Sequence, residues 1–288
     1  MRHQIPVDDA ALADASDEDG VHEVAPDIAY KRLLIVNVVF FGRRGSRDWV
    51  LVDAGMPGTA GRITSAAAER FSPDTPPLAI VLTHGHTDHV GALGDLAGRW
   101  NVPIYAHELE HPHLNGQRPY PPPDPSVGGM MARTSPLFGR GPIDVRKWLR
   151  PLPADGSVPG MPGFVWLHTP GHTEGHVSLW RANDRTLIAG DAVITTAQES
   201  AYAVMTQKPE LHGPPMYFTP DWNSARESAQ RLARLEPELI VTGHGHAMRG
   251  PEMRSALHQL ADRFDEVAIP KHGKYVDANT SPRPTTSR

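Results

Sequence analysis

The segment "THGHTDHVG", residues 83–91, contains three histidines and one aspartate that are able to bind metal ions. His84 and His86 stand two positions apart, so in an extended segment that leaves a strand their side chains can point to the same side and hold one ion. Asp88 and His89 follow where the chain turns into a helix, and they can face a neighbouring ion. This spacing predicts a metal-binding loop.

Three further candidate ligands follow apolar runs elsewhere in the chain: His172 in "TPGHTEGH", Asp191 in "IAGDA" and His244 in "TGHGH". All seven side chains are imidazoles or carboxylates. They divide into two groups of three, which are His84, His86 and His172, and Asp88, His89 and His244. We expect Asp191 to bridge the two groups.

The residue types restrict the chemistry of such a centre. Cysteine is absent from the 288 residues, so any metal must be bound by nitrogen and oxygen. Zinc accepts these ligands and leaves a position for water in a catalytic site, while iron and manganese accept them as well. A water held between two ions roughly 3.5 to 4 Å apart can lose its proton near neutral pH and become a nucleophile. The sequence therefore predicts two divalent metal ions, with zinc favoured, and hydrolysis without Ser or Cys.

Short β-branched runs precede these residues and predict the strands that carry them. The runs are "LLIVNVVF", "WVLVDAG", "LAIVL", "NVPIYA", "FVWLHT", "HVSLW", "TLIAGD" and "ELIVTGHGH". Helical segments follow each group of strands. Ile63, Ala67 and Phe71 share one helical face, and Ser224 with Glu227 predicts a capping box for a later helix. Two sheets between helices would satisfy this pattern.

Composition divides the chain into three parts. Residues 1–24 are polar and acidic without periodicity, which predicts a flexible N-terminal arm. Residues 25–275 are expected to form one domain, because no linker separates the two groups of strands. Within it, residues 108–150 are rich in Pro, Gly, Met and Arg, which indicates a functional loop or an irregular insertion. Residues 276–288 predict a polar C-terminal tail.

The overall charge argues against several classes of partner. The formal net charge is -5 with a pI near 6.3, and the arginines are scattered, so the chain has no basic footprint for nucleic acid. No apolar run approaches the roughly 20 residues that a membrane helix needs. The polar amino terminus does not read as a signal peptide. We expect a cytoplasmic protein that acts on a small-molecule substrate, without nucleic-acid or membrane partners.

Taken together, the motifs resemble one known family. The segment 83–91 matches the H-x-H-x-D-H signature of the metallo-β-lactamase fold superfamily, and His172, Asp191 and His244 appear in that family's order and roughly its spacing. The resemblance implies an α/β fold, an αββα sandwich of two mixed sheets flanked by helices, with a dinuclear centre at one edge. It also implies that Asp53, in "LVDAG", supports the ligand loop, as carboxylates that orient metal-bound imidazoles do.

Other residues near the predicted centre leave two interpretations open. A structural role is favoured for His176, whereas His246 is equally compatible with a structural role and with one beside the ligands or the substrate. Three tyrosines are candidates for substrate contact, namely Tyr202, Tyr217 and Tyr275. His107, His111 and His113 are interpreted as surface residues that bind no metal. Met130, Met131 and Phe138 can line an acyl pocket or cover a dimer interface, since family members are often homodimers.

The superfamily acts on β-lactams, lactones, thioesters and phosphoesters and in sulfur oxidation, so the fold does not determine the reaction. In its acyl-homoserine lactonases a tyrosine typically lies three residues after the bridging aspartate, where this chain has Ile194. We favour a carboxylic ester or lactone because the two long loops are apolar. The expected nucleophile is a metal-bridging hydroxide, with Asp88 and Asp191 as the catalytic carboxylates.

Four alternatives remain from the sequence alone. A glyoxalase II-like thioesterase has the same ligand set, and lysines near 271–274 are its support. A persulfide dioxygenase would use a single iron with a subset of the ligands. A β-lactamase is disfavoured because such enzymes are usually exported. A metal-braced fold without catalysis ranks last, because structural zinc sites are normally closed by four ligands and rich in cysteine.

Overall fold

The computed structural model describes residues 5–14, 20–200, 202–203 and 208–276 of the chain. Seven strands form the first sheet, in spatial as well as chain order: β2 (His22–Ala25), β3 (Ile28–Leu33), β4 (Val36–Phe41), β5 (Val50–Val52), β6 (Ala79–Val81), β7 (Ile104–Ala106) and β8 (Leu149–Pro151). The strands from β2 to β5 pair antiparallel and those from β5 to β8 pair parallel, so this sheet is mixed.

A second mixed sheet lies against the first. Its five strands are β9 (Phe164–His168), β10 (Val177–Arg181), β11 (Thr186–Gly190), β13 (Leu239–Thr242) and β14 (Met248–Arg249), in the spatial order β14-β13-β11-β10-β9. Within it β11 and β13 run parallel, and the other neighbours run antiparallel. A separate two-stranded ribbon pairs β1 (Ile5–Pro6) with β12 (Glu210–Leu211).

Helices cover the outer faces of both sheets. In the described ranges they are α1 (Ala60–Phe71), α2 (Thr87–Val90), α3 (Leu93–Trp100), α4 (His111–Leu114), α5 (Met130–Thr134), α6 (Trp222–Ala233), α7 (Gly250–Asp262) and α8 (Phe264–Val267). The helices α1 and α3 pack on the first sheet, and α6 and α7 pack on the second. None of the helices in these ranges combines the length and the hydropathy needed to cross a membrane.

Alternation of side chains along each strand divides the core into three apolar layers. In β4, for example, Val39 and Phe41 face the other sheet, whereas Val38 and Phe40 face α1 and α3. The middle layer joins the two sheets, and each outer layer joins one sheet to its helices. This arrangement confirms the predicted αββα sandwich. The predicted apolar face of α1 is also buried.

The run "LLIVNVVF", predicted as one strand, is a hairpin in the structure. Leu33 pairs with Val36 across a two-residue turn, and Leu34 at that turn has a φ of 64°. Tight hairpin turns of this kind need left-handed backbone, which Gly and Asn usually supply. The prediction was wrong because no such residue marks this turn in the sequence.

Residues 5–14 and 20–24 differ from the flexible arm that their composition predicts, and the other residues of that arm lie outside the described residues. Ile5 and Ala11 are buried in the core around α6 and α7, and Ile5 lies in β1. The strand β2 already begins at His22, before the expected domain boundary. Average polarity hides these apolar residues, and Ile5 pairs with a strand about 200 residues away in the sequence. Of the predicted C-terminal tail, residues 277–288 lie outside the described residues.

The segment 108–150 consists of short elements. It contains α4, α5, and 3-10 turns at Glu108–Glu110, Pro125–Val127 and Ser135–Leu137, before β8 adds an edge strand beside β7. Its helices are at most five residues long, which explains why the sequence shows no sustained period there.

Helix α6 begins earlier than the capping box predicts. Asp221 is the N-cap: its Oδ1 accepts a hydrogen bond from the Ser224 backbone N–H at 3.0 Å. The predicted buried face is present, with Ala225, Ala229 and Leu232 in the core. The pattern of Ser224 and Glu227 indicates a later start for the helix. The aspartate directly before Trp222 is the stronger signal, because Asp is among the preferred N-cap residues.

Candidate metal centre

The predicted ligands lie just beyond the ends of strands in both sheets. His84 and His86 follow β6 and lead into α2, which carries the last two ligands of the motif, Asp88 and His89. His172 lies in the loop between β9 and β10, Asp191 directly follows β11, and His244 comes shortly after β13. Because β11 and β13 are parallel neighbours, their carboxyl ends meet at one edge.

The structure brings all seven side chains together. They form three overlapping groups, in each of which the potential ligand atoms lie within 4.8 Å of one another: His84, His86 and His172; His84, His89 and Asp191; and Asp88, His89 and His244. Individual separations range from 2.9 Å, between His86 Nδ1 and His172 Nε2, to 3.9 Å, between His89 Nε2 and Asp88 Oδ2. Two nitrogens about 2.0–2.1 Å from one tetrahedral zinc ion are roughly 3.4 Å apart, so these spacings suit a ligand shell.

Asp191 lies between the groups. Its Oδ1 is 3.4 Å from His89 Nε2, and its Oδ2 is 3.1 Å from His244 Nε2 and 3.5 Å from His172 Nε2. Gly243 permits this position, because a Cβ there would lie 2.0 Å from Asp191 Oδ1. The Asp191 carboxylate therefore contacts both groups, through His172 of the first and through His89 and His244 of the second.

Hydrogen bonds on the far side of the rings of His84 and His89 select which nitrogen faces the centre. Asp53 Oδ2 lies 2.9 Å from His89 Nδ1 and also accepts the Thr83 hydroxyl at 2.8 Å. With its proton given to Asp53, the Thr83 hydroxyl can accept from His84 Nδ1 at 3.1 Å. In its neutral form each ring therefore presents an unprotonated Nε2 to the centre. The Asp53 carboxylate therefore lies behind the ligand loop, at the position expected for it.

His172 and His244 are oriented in the same way. The Thr219 hydroxyl donates to the Pro215 carbonyl at 2.7 Å and lies 3.2 Å from His172 Nδ1. His244 Nδ1 lies 2.5 Å from the Ile35 carbonyl, at the turn between β3 and β4. These contacts leave Nε2 of His172 and of His244 facing the cluster.

The cluster contains buried atoms whose hydrogen-bonding capacity is unused. Among the described residues, His84 Nε2, His89 Nε2 and Asp191 Oδ1 are buried and have no hydrogen-bond partner. Buried polar atoms are almost always satisfied, so three unsatisfied atoms converging on one place indicate a ligand. Imidazole nitrogens and carboxylate oxygens are the donors that zinc, iron and manganese accept. The residues present therefore fit a metal centre.

Burial keeps one half of the centre neutral. It lowers the pKa of His84 and of His172 well below the ordinary value, and the neighbouring imidazoles lower both further. Burial likewise lowers the pKa of His86 to about 4. These three rings are uncharged at neutral pH, which is the form that binds a metal ion.

The other half attracts positive charge. Burial opposes protonation of His89, but the carboxylates of Asp191, Asp88 and Asp53 outweigh it and raise the pKa of His89 well above the ordinary value. Burial would raise the pKa of Asp191, yet His244 and His89 hold it well below its usual range. Three carboxylates around two imidazoles make this region favourable for cations.

His176 has a structural position, as favoured from the sequence. Its Nε2 accepts the Asp191 backbone N–H at 2.9 Å, and its Nδ1 lies 2.9 Å from the Thr169 hydroxyl. Burial lowers the pKa of His176 to about 3, so the ring is neutral and can accept this bond. His176 thus holds the backbone of Asp191.

A cavity of about 380 Å³ reaches the centre at His86 and His172. Its walls are largely apolar and come from prolines and aromatic side chains, namely Pro119, Pro121, Pro122, Pro220, Tyr120, Phe218 and Tyr275. The Phe218 ring lies 4.8 Å from the His86 ring. This cavity is the natural place for a substrate beside the metal ligands.

The structure separates the remaining candidates from the sequence. Tyr275 lines the cavity, and its hydroxyl donates to the Pro122 carbonyl at 2.5 Å. Tyr217 is buried. Burial raises its pKa well above the ordinary value, and the carboxylates of the centre raise it further. Tyr202 is 74% exposed and lines a different cleft, together with Met130. His246 is placed 3.4 Å from Arg32 and 3.9 Å from Asp14, outside the ligand groups.

The histidines of "AHELEHPH" belong to no ligand group in the described ranges. His107 stacks on His168 at 4.4 Å, and His111 lies 3.3 Å from the Ala106 carbonyl. His113, however, is buried rather than on the surface, and it stacks on Tyr120 at 3.7 Å. Phe138 packs at 6.0 and 6.4 Å from the rings of Tyr217 and Phe218 behind the cavity, whereas Met131 is half-buried against the core around α6 and α7.

Sequence reasoning missed Glu110, Tyr120, Thr219 and Phe218, which contact the ligands or their loops. None of them stands in a motif with the ligands. Only the proximity of their side chains in the folded chain identifies them.

A family model of the metallo-beta-lactamase superfamily matches residues 32–244. That range covers most of the chain and contains all seven clustered side chains. The chain therefore belongs to the metallo-beta-lactamase superfamily.

Individual relatives agree with this assignment. The chain is 47% identical over 250 residues to "Probable metallo-hydrolase YflN" of Bacillus subtilis, covering 86% of this chain and 92% of that protein. It is 26% identical over 163 residues to a hydroxyacylglutathione hydrolase of Bdellovibrio bacteriovorus, covering 57% of this chain and 47% of that protein. The solved structure of TTHA1623 in a di-iron-bound form matches with a TM-score of 0.52 and 24% identity, over 81% of this chain and 95% of that chain. The superfamily and the metallo-hydrolase relatives indicate a metal-dependent hydrolase.

Proposed function

We propose that this protein hydrolyses a small carboxylic ester or lactone at a centre of two divalent metal ions. Zinc is the first metal to test. The observation that carries the proposal is the convergence of seven ligand atoms, several with their tautomer set by a hydrogen bond, beside an apolar cavity. When bound, the ions would polarise a carbonyl and lower the pKa of water. TTHA1623, which shares this fold, has been solved with two irons, so iron is the second metal to test.

The chain's own residues supply orientation and proton handling. His86 and His172 form the part of the centre that borders the cavity, so the carbonyl to be cleaved must lie next to them. Asp88 is the one predicted ligand whose side chain is substantially accessible, at 25% exposed. A carboxylate at the accessible side of the centre can take a proton from water as the ester or lactone bond is cleaved.

The charges of the cavity favour an uncharged substrate. Its walls carry the cation Arg118 and the anions Glu174 and Asp221, and Arg118 Nη2 is 2.9 Å from Glu174 Oε2. His113 adds no charge, because burial lowers its pKa. The wall therefore offers no net positive charge to an anionic substrate, whereas the prolines and aromatic rings suit an apolar acyl chain or lactone ring.

A thioesterase is the second candidate, and one observation favours it. The Bdellovibrio relative is a hydroxyacylglutathione hydrolase, although its identity to this chain is low. Glutathione carries carboxylates, which the anionic cavity wall does not favour.

A cytoplasmic location and a homodimer remain predictions. Light scattering of the purified protein would test the homodimer.

One experiment separates these functions: elemental analysis of the purified protein, beside a panel of lactones, carboxylic esters, glutathione thioesters, phosphodiesters, aryl sulfates and β-lactams. Two transition ions per chain with selective cleavage of esters or lactones would support the proposal. Preference for glutathione thioesters would favour the second candidate. One iron with oxygen consumption would indicate a persulfide dioxygenase, and metal without turnover would indicate a metal-braced fold.

A further inference from the structure

A buried carboxylate beneath the centre has no place in the ligand set. Glu110 ends the 3-10 turn Glu108–Glu110 and is only 1% exposed. Its two oxygens accept hydrogen bonds from four donors, two of them backbone N–H groups and two of them hydroxyls. Burying a charge is costly unless it is hydrogen-bonded in this way, so the site is built for a carboxylate.

Three of the four donors come from the two loops that carry the three-histidine group. Gly85, between His84 and His86, donates its backbone N–H to Glu110 Oε2 at 2.9 Å. Thr173, directly after His172, donates its hydroxyl to Glu110 Oε1 at 2.7 Å. The Gly175 N–H donates to the same oxygen at 2.9 Å.

Tyr120 completes the contact with the first loop. Its hydroxyl donates to Glu110 Oε2 and accepts the Gly85 N–H at 3.0 Å. Its ring lies 4.5 Å from the ring of His86 and stacks on His113. One side chain therefore contacts both the carboxylate and a ligand imidazole.

The packing around the carboxylate is close. A Cβ at Gly175 would lie 2.8 Å from Glu110 Cγ and 2.9 Å from Glu110 N, so only glycine lets this loop approach. The two loops leave different sheets, one after β6 of the first sheet and one between β9 and β10 of the second. Glu110 thus connects the sheets at the point where the three histidines meet.

We propose that Glu110, assisted by Tyr120, is a positioning residue that holds the loops of His84, His86 and His172 at the separation that a metal ion requires. This role rests on the proposed metal centre. It gives the segment 108–150 a function, because that segment supplies both residues. It also predicts a selective effect, since all four bonds of Glu110 go to this half of the centre or to Tyr120.

The test is Glu110→Gln, with Glu108→Gln as the matched control because Glu108 is exposed in the same turn. In Glu110→Gln an NH2 group replaces one of the two carboxylate oxygens. It then faces the Gly85 N–H or the Gly175 N–H, so one of the two loops loses its acceptor. Zinc affinity is measured by competition with a chelator, and the ions retained per chain are counted after gel filtration. We expect Glu110→Gln to weaken one of the two sites about 10–100-fold, so that one ion is retained where the wild type and Glu108→Gln retain two.

Each other outcome has a defined meaning. Equal zinc affinities for both sites in Glu110→Gln and the wild type would overturn the proposal. Equal weakening of both sites, with a matching loss of thermal stability in the metal-free protein, would show a purely structural role and overturn it as well. A wild type that binds no metal would instead refute the proposed metal centre.

A second variant covers the case in which Glu110→Gln does not fold. Tyr120→Phe keeps the ring contacts with His86 and His113 and removes only the hydroxyl. It should weaken the same single site to a smaller degree, and its cobalt(II) absorption spectrum should differ from that of the wild type. A Tyr120→Phe protein with unchanged affinity and spectrum would contradict the positioning role.

Discussion

At the scale of single residues, the candidate centre depends as much on the groups behind the ligands as on the ligands themselves. Asp53 and Thr219 each contact the Nδ1 of a ligand histidine. Asp53 also accepts the hydroxyl of Thr83, which contacts the Nδ1 of a third ligand histidine. A histidine with a partner on Nδ1 can offer only Nε2 to a metal ion. The orientation of the imidazoles is therefore built into the protein before any ion binds.

The first prediction concerns Asp191, whose carboxylate contacts His172 in one half of the centre and His89 in the other. Asp191→Ala removes these contacts, so we expect turnover to be abolished and the metal content to fall. Elemental analysis and ester hydrolysis check both. A fully active Asp191→Ala protein would show that this carboxylate bridges nothing.

The second prediction concerns Asp53, which also accepts the Thr83 backbone N–H at 2.8 Å. Asp53→Asn removes the charge behind His89 and places an amide donor near groups that need an acceptor. Metal affinity or activity should fall about 10–100-fold, as for other groups that orient metal-bound histidines. Asp48→Asn, at an exposed position nearby, is the control and should leave zinc competition and hydrolysis unaffected.

At the scale of elements, the ends of strands and the starts of helices place the chemistry. Parallel neighbours such as β11 and β13 deliver Asp191 and His244 to one edge, and α2 turns the second half of the motif toward the same point. Asp221, which lines the cavity, is at the same time the N-cap of α6.

The third prediction distinguishes the observed helix cap from the one expected from sequence. Asp221→Ala should lower the free energy of unfolding by about 1 kcal/mol, because the Ser224 N–H loses its acceptor. Glu227→Ala, at an exposed position, should change it by less than about 0.5 kcal/mol. Urea unfolding at an unchanged m-value measures both. A larger loss in Glu227→Ala would restore the predicted capping box.

At the scale of the whole molecule, the centre connects the two sheets at one edge of the sandwich. Its ligands come from the first sheet through the loop after β6 and from the second through β11 and β13. Any ion bound there joins the two halves of the sandwich.

The fourth prediction follows from this position. Metal that binds the folded chain and not the unfolded chain should stabilise it by about 2.7 kcal/mol at a free concentration of 100 times the Kd. Treatment with a chelator should lower the thermal unfolding midpoint, and zinc should restore it. A midpoint that does not respond to zinc concentration would exclude this coupling.

The sequence by itself predicted the αββα fold and named the seven side chains that the structure brings together. It could do so because strand periodicity and ligand type are local properties, because the motifs stand directly after apolar runs, and because together they resemble a known family whose fold they imply. The burial of Ile5, the turn at Leu34 and the contacts of Glu110 were decided by tertiary structure. Each depends on a partner or a backbone conformation that neighbouring residues do not specify, and such contacts exist only once the chain has folded.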